Sequence, residues 1–137
     1  MALGAILSGG ETIELVGDLG AGKTQFVRGL AEGAGSTDSV QSPSFTISRV
    51  YQGSGFTIYH YDFYRLGEDI GIMKDEISEQ IGEPSTVVVT EWASTTQGFL
   101  PDDRLQIRFA YSQTENERNI TIKALGSKSA QILEKLK

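Results

Sequence analysis

Apolar and polar positions alternate along this chain in short runs of two kinds, strand-like and helix-like. Thr12 to Leu15 reads as a short buried strand that runs straight into the glycine-rich turn Gly17 to Thr24. Gln25 to Glu32 carries apolar residues at Phe26, Val27, Leu30 and Ala31, the spacing of one helical face. Gly33, Gly35 and the polar run Ser36 to Ser39 stop that helix. Phe45 to Tyr51 and Phe56 to Tyr61 alternate with period two around Gln52-Gly-Ser-Gly55, which predicts a hairpin. Ile70 to Ile81 is weakly helical. Thr86 to Thr90 is a β-branched run of the kind found in a strand covered on both faces. Leu105 to Tyr111 and Asn119 to Leu125 alternate as strands and are expected to pair near the sheet edge. Ser127 to Leu136 is a closing helix with Ser127 as the expected N-cap. The whole predicts an α/β domain with a mixed sheet, its parallel part around the Thr12 and Val87 strands.

The bulk numbers narrow this picture. A chain of 137 residues is one domain's worth. Apolar content of 39% and charged content of 22% exclude a disordered or fibrous protein. There are no repeats and no linker, so residues 1–137 read as a single domain. Met1 to Leu7 is apolar but too short for a membrane span, and it lacks the basic start of a signal peptide. It reads as a short helix packed on the domain, with no membrane association. The net charge of −6 gives no general affinity for nucleic acid, so any RNA is expected to be held by other subunits. The absence of cysteine excludes a disulfide framework and fits a cytoplasmic protein.

The chemistry is concentrated in a few segments. Gly17-Asp18-Leu19-Gly20-Ala21-Gly22-Lys23-Thr24 matches the G-x-x-x-x-G-K-[ST] phosphate-binding template in full. Glycines let the backbone curl with its N–H groups turned inward, and the following helix adds its positive end. Lys23 then reaches the β- and γ-phosphates, and the Thr24 hydroxyl completes a magnesium shell. In a chain with 16 glycines, four fixed positions match by chance on the order of once in a hundred such sequences. The apolar strand before the loop and the helix after it reduce that chance further.

A magnesium nucleotide site needs carboxylates at the ends of buried strands. Glu91 directly follows Thr86-Val-Val-Val-Thr90 in the Walker B arrangement, with Glu in place of Asp. Such an acid can hold metal or its water, or serve as a salt bridge or helix cap. Asp62 ends the Phe56 to Tyr61 strand within His60-Tyr-Asp62-Phe-Tyr64-Arg65. It reads equally as a site edge or as a solvated turn with an Asp62–Arg65 ion pair, worth little at a surface. His60, the one histidine, fits a satisfied, partly buried residue better than a base, since this chemistry relies on positioning and charge. Trp92 suits either core packing or contact with nucleotide or a partner. Ser42-Pro43-Ser44-Phe45 lies where switch proteins place a hydroxyl that senses the γ-phosphate, with Ser44 as the candidate, or it is a plain loop.

These segments occur in the same order in the TsaE family, formerly YjeE, the bacterial ATPases of the tRNA threonylcarbamoyladenosine pathway. The chain resembles that family over nearly its whole length, Phe99-Leu100-Pro101 and the Leu105 to Phe109 strand included. The resemblance implies a P-loop NTPase fold, with ATP and Mg2+ as ligands. It implies partnership with TsaD, which carries the threonylcarbamoyl transfer, and TsaB, its scaffold partner, with tRNA met only through the complex. By position it implies catalytic roles for Lys23, Asp62 and Glu91, and metal or water contacts for Thr24, Asp62 and Glu91. Gly17 to Thr24, Gln25 and Trp92 would surround the nucleotide, with Ser42 and Ser44 in the switch-like segment. Three departures stand out. Ser44 replaces the usual threonine. Family members usually carry an extra strand and more helix before the residues matching Met1 to Gly10. The Gly67 to Gly82 segment is compressed. The short start bears on stability and docking more than on nucleotide binding.

Two other functions share the loop. A small-molecule kinase needs an acceptor pocket and an arginine-rich lid, but the six arginines here are scattered. A non-hydrolysing nucleotide-binding module has no need of Thr24, Asp62 and Glu91 together.

Overall fold

The structure, a computed structural model, describes residues 2–17, 23–36, 48–62, 78–91, 103–111 and 118–136. In chain order the elements are α1 (Ala2–Ile6), β1 (Thr12–Gly17), α2 (Lys23–Gly33), β2 (Ser48–Gln52), β3 (Thr57–Asp62), β4 (Thr86–Glu91), β5 (Leu105–Tyr111), β6 (Arg118–Ala124) and α3 (Ser127–Leu136). The described strands form one sheet in the order β2-β3-β4-β1-β5-β6. β3, β4, β1 and β5 run parallel, and β2 and β6 close the two edges antiparallel. This is the mixed α/β sheet that the sequence predicts, with β1 and β4 as neighbours at its centre.

Alternation along the strands decides what each face does. Ile58, Val87, Val89, Ile13, Leu15, Leu105, Ile107 and Phe109 form one apolar face. The helices deliver Leu3, Phe26, Val27, Leu30, Ala31 and Ile132 to the same core, and Leu7 joins it just after α1. Phe26 meets Phe109 edge-on, ring centroids 5.6 Å apart. Burying a side chain of this size contributes about 1.5–3 kcal/mol. β4 is buried at every position, as its β-branched run predicts. The opposite face is also buried along Thr12, Glu14, Val88, Thr90 and Tyr61.

The start of β1 is tied down by hydrogen bonds. The Ser8 and Gly9 amides donate to the Glu11 carboxylate at 2.9 and 2.7 Å. The Gly10 amide donates to the Thr86 carbonyl at 2.7 Å, and the Val88 amide to the Glu11 carbonyl at 3.0 Å. These bonds lock the β1–β4 register at one end of the sheet, and so set which residues meet at the other.

Helix ends follow capping chemistry. The Ser36 amide donates to the Ala31 carbonyl and the Gly35 amide to the Glu32 carbonyl, a Schellman closure of α2. It requires the left-handed backbone of Gly35, at φ +86°. The start of α3 corrects the expected Ser127 cap. The first helical bond runs from the Ala130 amide to the Gly126 carbonyl, so Gly126 is the capping position and Ser127 the first helical residue. Asp103 supplies the capping carboxylate from across the fold, accepting from the Lys128 and Ser129 amides at 3.0 Å each. A Cβ at residue 126 would lie 2.4 Å from Asp103 Cγ, so glycine leaves that carboxylate room.

The expected hairpin is present as β2–β3, with Tyr51 opposite Ile58. The Gly53 amide closes its turn on the Phe56 carbonyl at 2.9 Å. Residues 45–47 of that expectation lie outside the described residues. Of the weakly helical Ile70 to Ile81, residues 78–80 are helical and 70–77 lie outside.

Candidate functional site

Parallel strands end together, and the register brings three candidate residues to one place. Glu91 ends β4, with Leu15 of β1 as its pairing partner on one side and Asp62, the last residue of β3, on the other. Gly17, where the P-loop template opens, is two positions beyond Leu15 at the end of β1. Asp62, Glu91 and Gly17 therefore share the carboxyl edge of the sheet, where open α/β folds bind their ligands. Lys23 and Thr24 open α2, so their backbone sits in the first helical turn, whose amides have no intrahelical acceptor. Gln25 is exposed, and its side chain accepts from Arg28 on the next turn at 3.2 Å. Asp18, Leu19, Gly20, Ala21, Gly22, Ser42, Ser44 and Trp92 lie outside the described residues.

Glu91 is 4% exposed. A carboxylate that deep costs several kcal/mol unless it is partnered. The His60 Nε2 lies 3.6 Å from Glu91 Oε1. His60 is fully buried, and neither ring nitrogen has a hydrogen-bond partner among the described residues. The sequence reading of a satisfied, partly buried histidine is therefore corrected on both counts. Its ring tilts against Tyr51, centroids 6.4 Å apart. The signal present in the sequence was position: His60 stands two residues before the acid that ends its strand.

A second buried acid sits one strand away on the opposite face. Glu14 of β1 is 1% exposed and accepts from Arg104 Nε at 3.1 Å and Gln106 Nε2 at 2.9 Å. Sequence reading did not single it out, because its partners come from a distant strand.

Comparison with known proteins shows the family of the chain. The model of the family described as Threonylcarbamoyl adenosine biosynthesis protein TsaE matches residues 1–120. The chain belongs to the TsaE family. That match spans every candidate site residue from Gly17 to Trp92. The chain is 41% identical over 130 residues to the tRNA threonylcarbamoyladenosine biosynthesis protein TsaE of Bacillus subtilis, covering 93% of this chain and 78% of that one. It is 38% identical over 133 residues to the protein of the same description from Streptomyces coelicolor, covering 93% and 89%. Among solved structures, the crystal structure of Bacillus subtilis YdiB superposes with a TM-score of 0.77 at 36% identity, over 98% of this chain and 82% of that one. This TsaE-family chain has, among its described residues, no helix long and apolar enough to cross a membrane.

Proposed function

We propose that this TsaE-family chain binds ATP with magnesium in its P-loop and hydrolyses it, slowly alone and faster in the company of TsaB and TsaD. In this reading it is the cytoplasmic ATPase subunit required for threonylcarbamoylation of the tRNA adenosine beside the anticodon. The observation that carries the reading is the register of the sheet edge: Gly17, Asp62 and Glu91 end three adjacent parallel strands, and α2 begins at Lys23.

The chain's own groups divide the work. The backbone amides of Gly17 to Thr24 and the start of α2 cradle the phosphates, with Lys23 as a point charge on them. Thr24, Asp62 and Glu91 offer one hydroxyl and two carboxylates, an all-oxygen donor set of the kind a hard divalent cation takes. A bound Mg2+ would neutralise charge developing on the phosphoryl oxygens. Glu91 or Asp62 orients the attacking water and excludes alternatives to in-line approach. Ser44 reports on the γ-phosphate. The acidic chain meets tRNA only through its partners, which fits a net charge of −6.

The test is ATP turnover by the chain alone and with TsaB and TsaD, beside Lys23→Ala and Glu91→Ala. The reading expects partners to raise turnover and both substitutions to abolish it. Rapid hydrolysis by the isolated chain that partners leave unchanged would remove the partner-activated mechanism. Turnover that survives Glu91→Ala in the full complex would remove the assigned role of Glu91.

A further inference from the structure

We infer that His60 is a positioning residue for Glu91: its Nε2–H holds Glu91 Oε1, which leaves Oε2 as the oxygen presented at the carboxyl edge of the sheet. The inference deepens the ATPase reading and rests on it for what the oriented carboxylate does.

Three observations carry it. The first is burial without satisfaction. His60 is fully buried, and both of its ring nitrogens lack a hydrogen-bond partner among the described residues. Buried polar atoms are paired in the great majority of cases, so an unpaired imidazole needs a reason. The second is geometry. Glu91 Oε1 lies 3.6 Å from Nε2, a few tenths of an ångström beyond a full hydrogen bond. Hydrogen bonds at reacting sites are often long before ligand arrives and tighten in the complex. The third is support from behind. His60 pairs with Val89 in the β3–β4 ladder, and its ring lies tilted against Tyr51, itself 2% exposed. The ladder therefore fixes the His60 backbone, and the buried Tyr51 ring flanks the imidazole.

A glutamate side chain has three rotatable bonds and will not hold one oxygen towards a water without a second contact. An imidazole N–H on the other oxygen provides it, by the same logic that outer contacts fix metal-ligating groups. The ring acts as a donor through Nε2–H. No proton is transferred, and His60 touches neither nucleotide nor water.

Two measurements test this on the full chain. Because His60 is the one histidine, a histidine-selective nitrogen NMR spectrum contains a single imidazole. The inference expects the Nε2–H tautomer, with its signals displaced by Glu91→Gln. An Nδ1–H tautomer, or signals indifferent to Glu91→Gln, overturns the pairing. The second measurement is ATP affinity and turnover with TsaB and TsaD for His60→Phe, which keeps the ring and removes the donor, and for His60→Gln, which keeps a donor. For His60→Phe the expected loss in kcat is about 10- to 100-fold, the size of losses when an orienting contact is removed. ATP affinity should stay within about twofold, the mark of an interaction used only in the reaction. His60→Gln should recover most of the rate. Unchanged kcat in His60→Phe, or no recovery in His60→Gln, overturns the inference. No turnover by the unsubstituted protein with its partners counts against the ATPase reading instead, and the pairing is then decided by the NMR result.

Discussion

Glu14 and Glu91 are both buried glutamates near the centre of the same sheet, on the adjacent strands β1 and β4, yet they are treated in opposite ways. Glu14 is 1% exposed and is matched by Arg104 and Gln106 on one of its oxygens. Glu91 is 4% exposed and has the His60 Nε2 at 3.6 Å from its Oε1, beyond hydrogen-bond distance. Partners that neutralise a buried carboxylate make it part of the structure. A carboxylate buried without them keeps unspent electrostatic capacity, which a cation or a polarised water can use. The difference follows from position: Glu14 lies mid-strand on one face, whereas Glu91 is the last residue of its strand on the other, beside Asp62 and next to the strand that leads into the P-loop.

The largest expected effect breaks the site side of this comparison. Under the proposed function Lys23→Ala removes the charge that would meet the phosphates, and turnover should fall by about 100-fold or more with ATP affinity reduced. Both are read by a coupled ATPase assay and a nucleotide titration, while the thermal midpoint stays near the parent value. Next in size is the structural side. Arg104→Ala leaves Glu14 charged and buried, and urea unfolding should show a loss of about 2–3 kcal/mol. That is below the cost for a fully buried pair, because the Arg104 side chain is 17% exposed. Adding Glu14→Gln to Arg104→Ala should recover more than half of the loss, and the double-mutant cycle gives the coupling directly. A stability loss that Glu14→Gln does not recover would mean that packing by the arginine stem, not charge, holds that corner.

The smallest effect comes from a third acid, near the surface. Hydrogen bonding from the Ser129 side chain most of all, then from the Ser129 and Lys128 amides, with the Lys128 charge beside it, holds the Asp103 carboxyl below its ordinary 3.8 against an opposing push from burial. A folded value lower than the unfolded one means stability that is fully present above the unfolded value. It is lost as pH falls through the folded one. Asp103→Asn keeps one acceptor oxygen and loses the charge, so it should cost about 0.3–1 kcal/mol at neutral pH, the range for a negative charge at a helix N-terminus. The gap between variant and parent should close as the solution is acidified below about pH 4. Urea midpoints across that range check the sign, and a gap that widens on acidification would exclude Asp103 as the α3 cap.

How much of this was legible in the sequence depends on the distance between partners. The β1 strand, the helix after the template and the fully buried β4 could be read because the signals are local: period, β-branching and glycine placement. The Gly35 stop of α2 was legible for the same reason. The α3 cap was misplaced onto Ser127 because the true carboxylate, Asp103, reaches it from another segment. The Glu14–Arg104 pair was missed because β1 and β5 become neighbours only when the sheet order is known. The meeting of Asp62 with Glu91 required the β3–β4 register, which no local pattern encodes. His60 sat within a recognised segment, but its role depends on that same register and on a burial deeper than its surroundings in the sequence suggest.

The division of labour between Glu14 and Glu91 is tested most directly by ATP turnover per folded molecule, measured with TsaB and TsaD for Glu91→Gln and Glu14→Gln side by side. The account predicts a fall of about 100-fold or more for Glu91→Gln, the range for loss of a group acting on the reacting water. For Glu14→Gln it predicts a rate within about threefold of the parent, since only uniform structural terms are touched. Equal losses in the two variants, or a larger loss in Glu14→Gln, would contradict it.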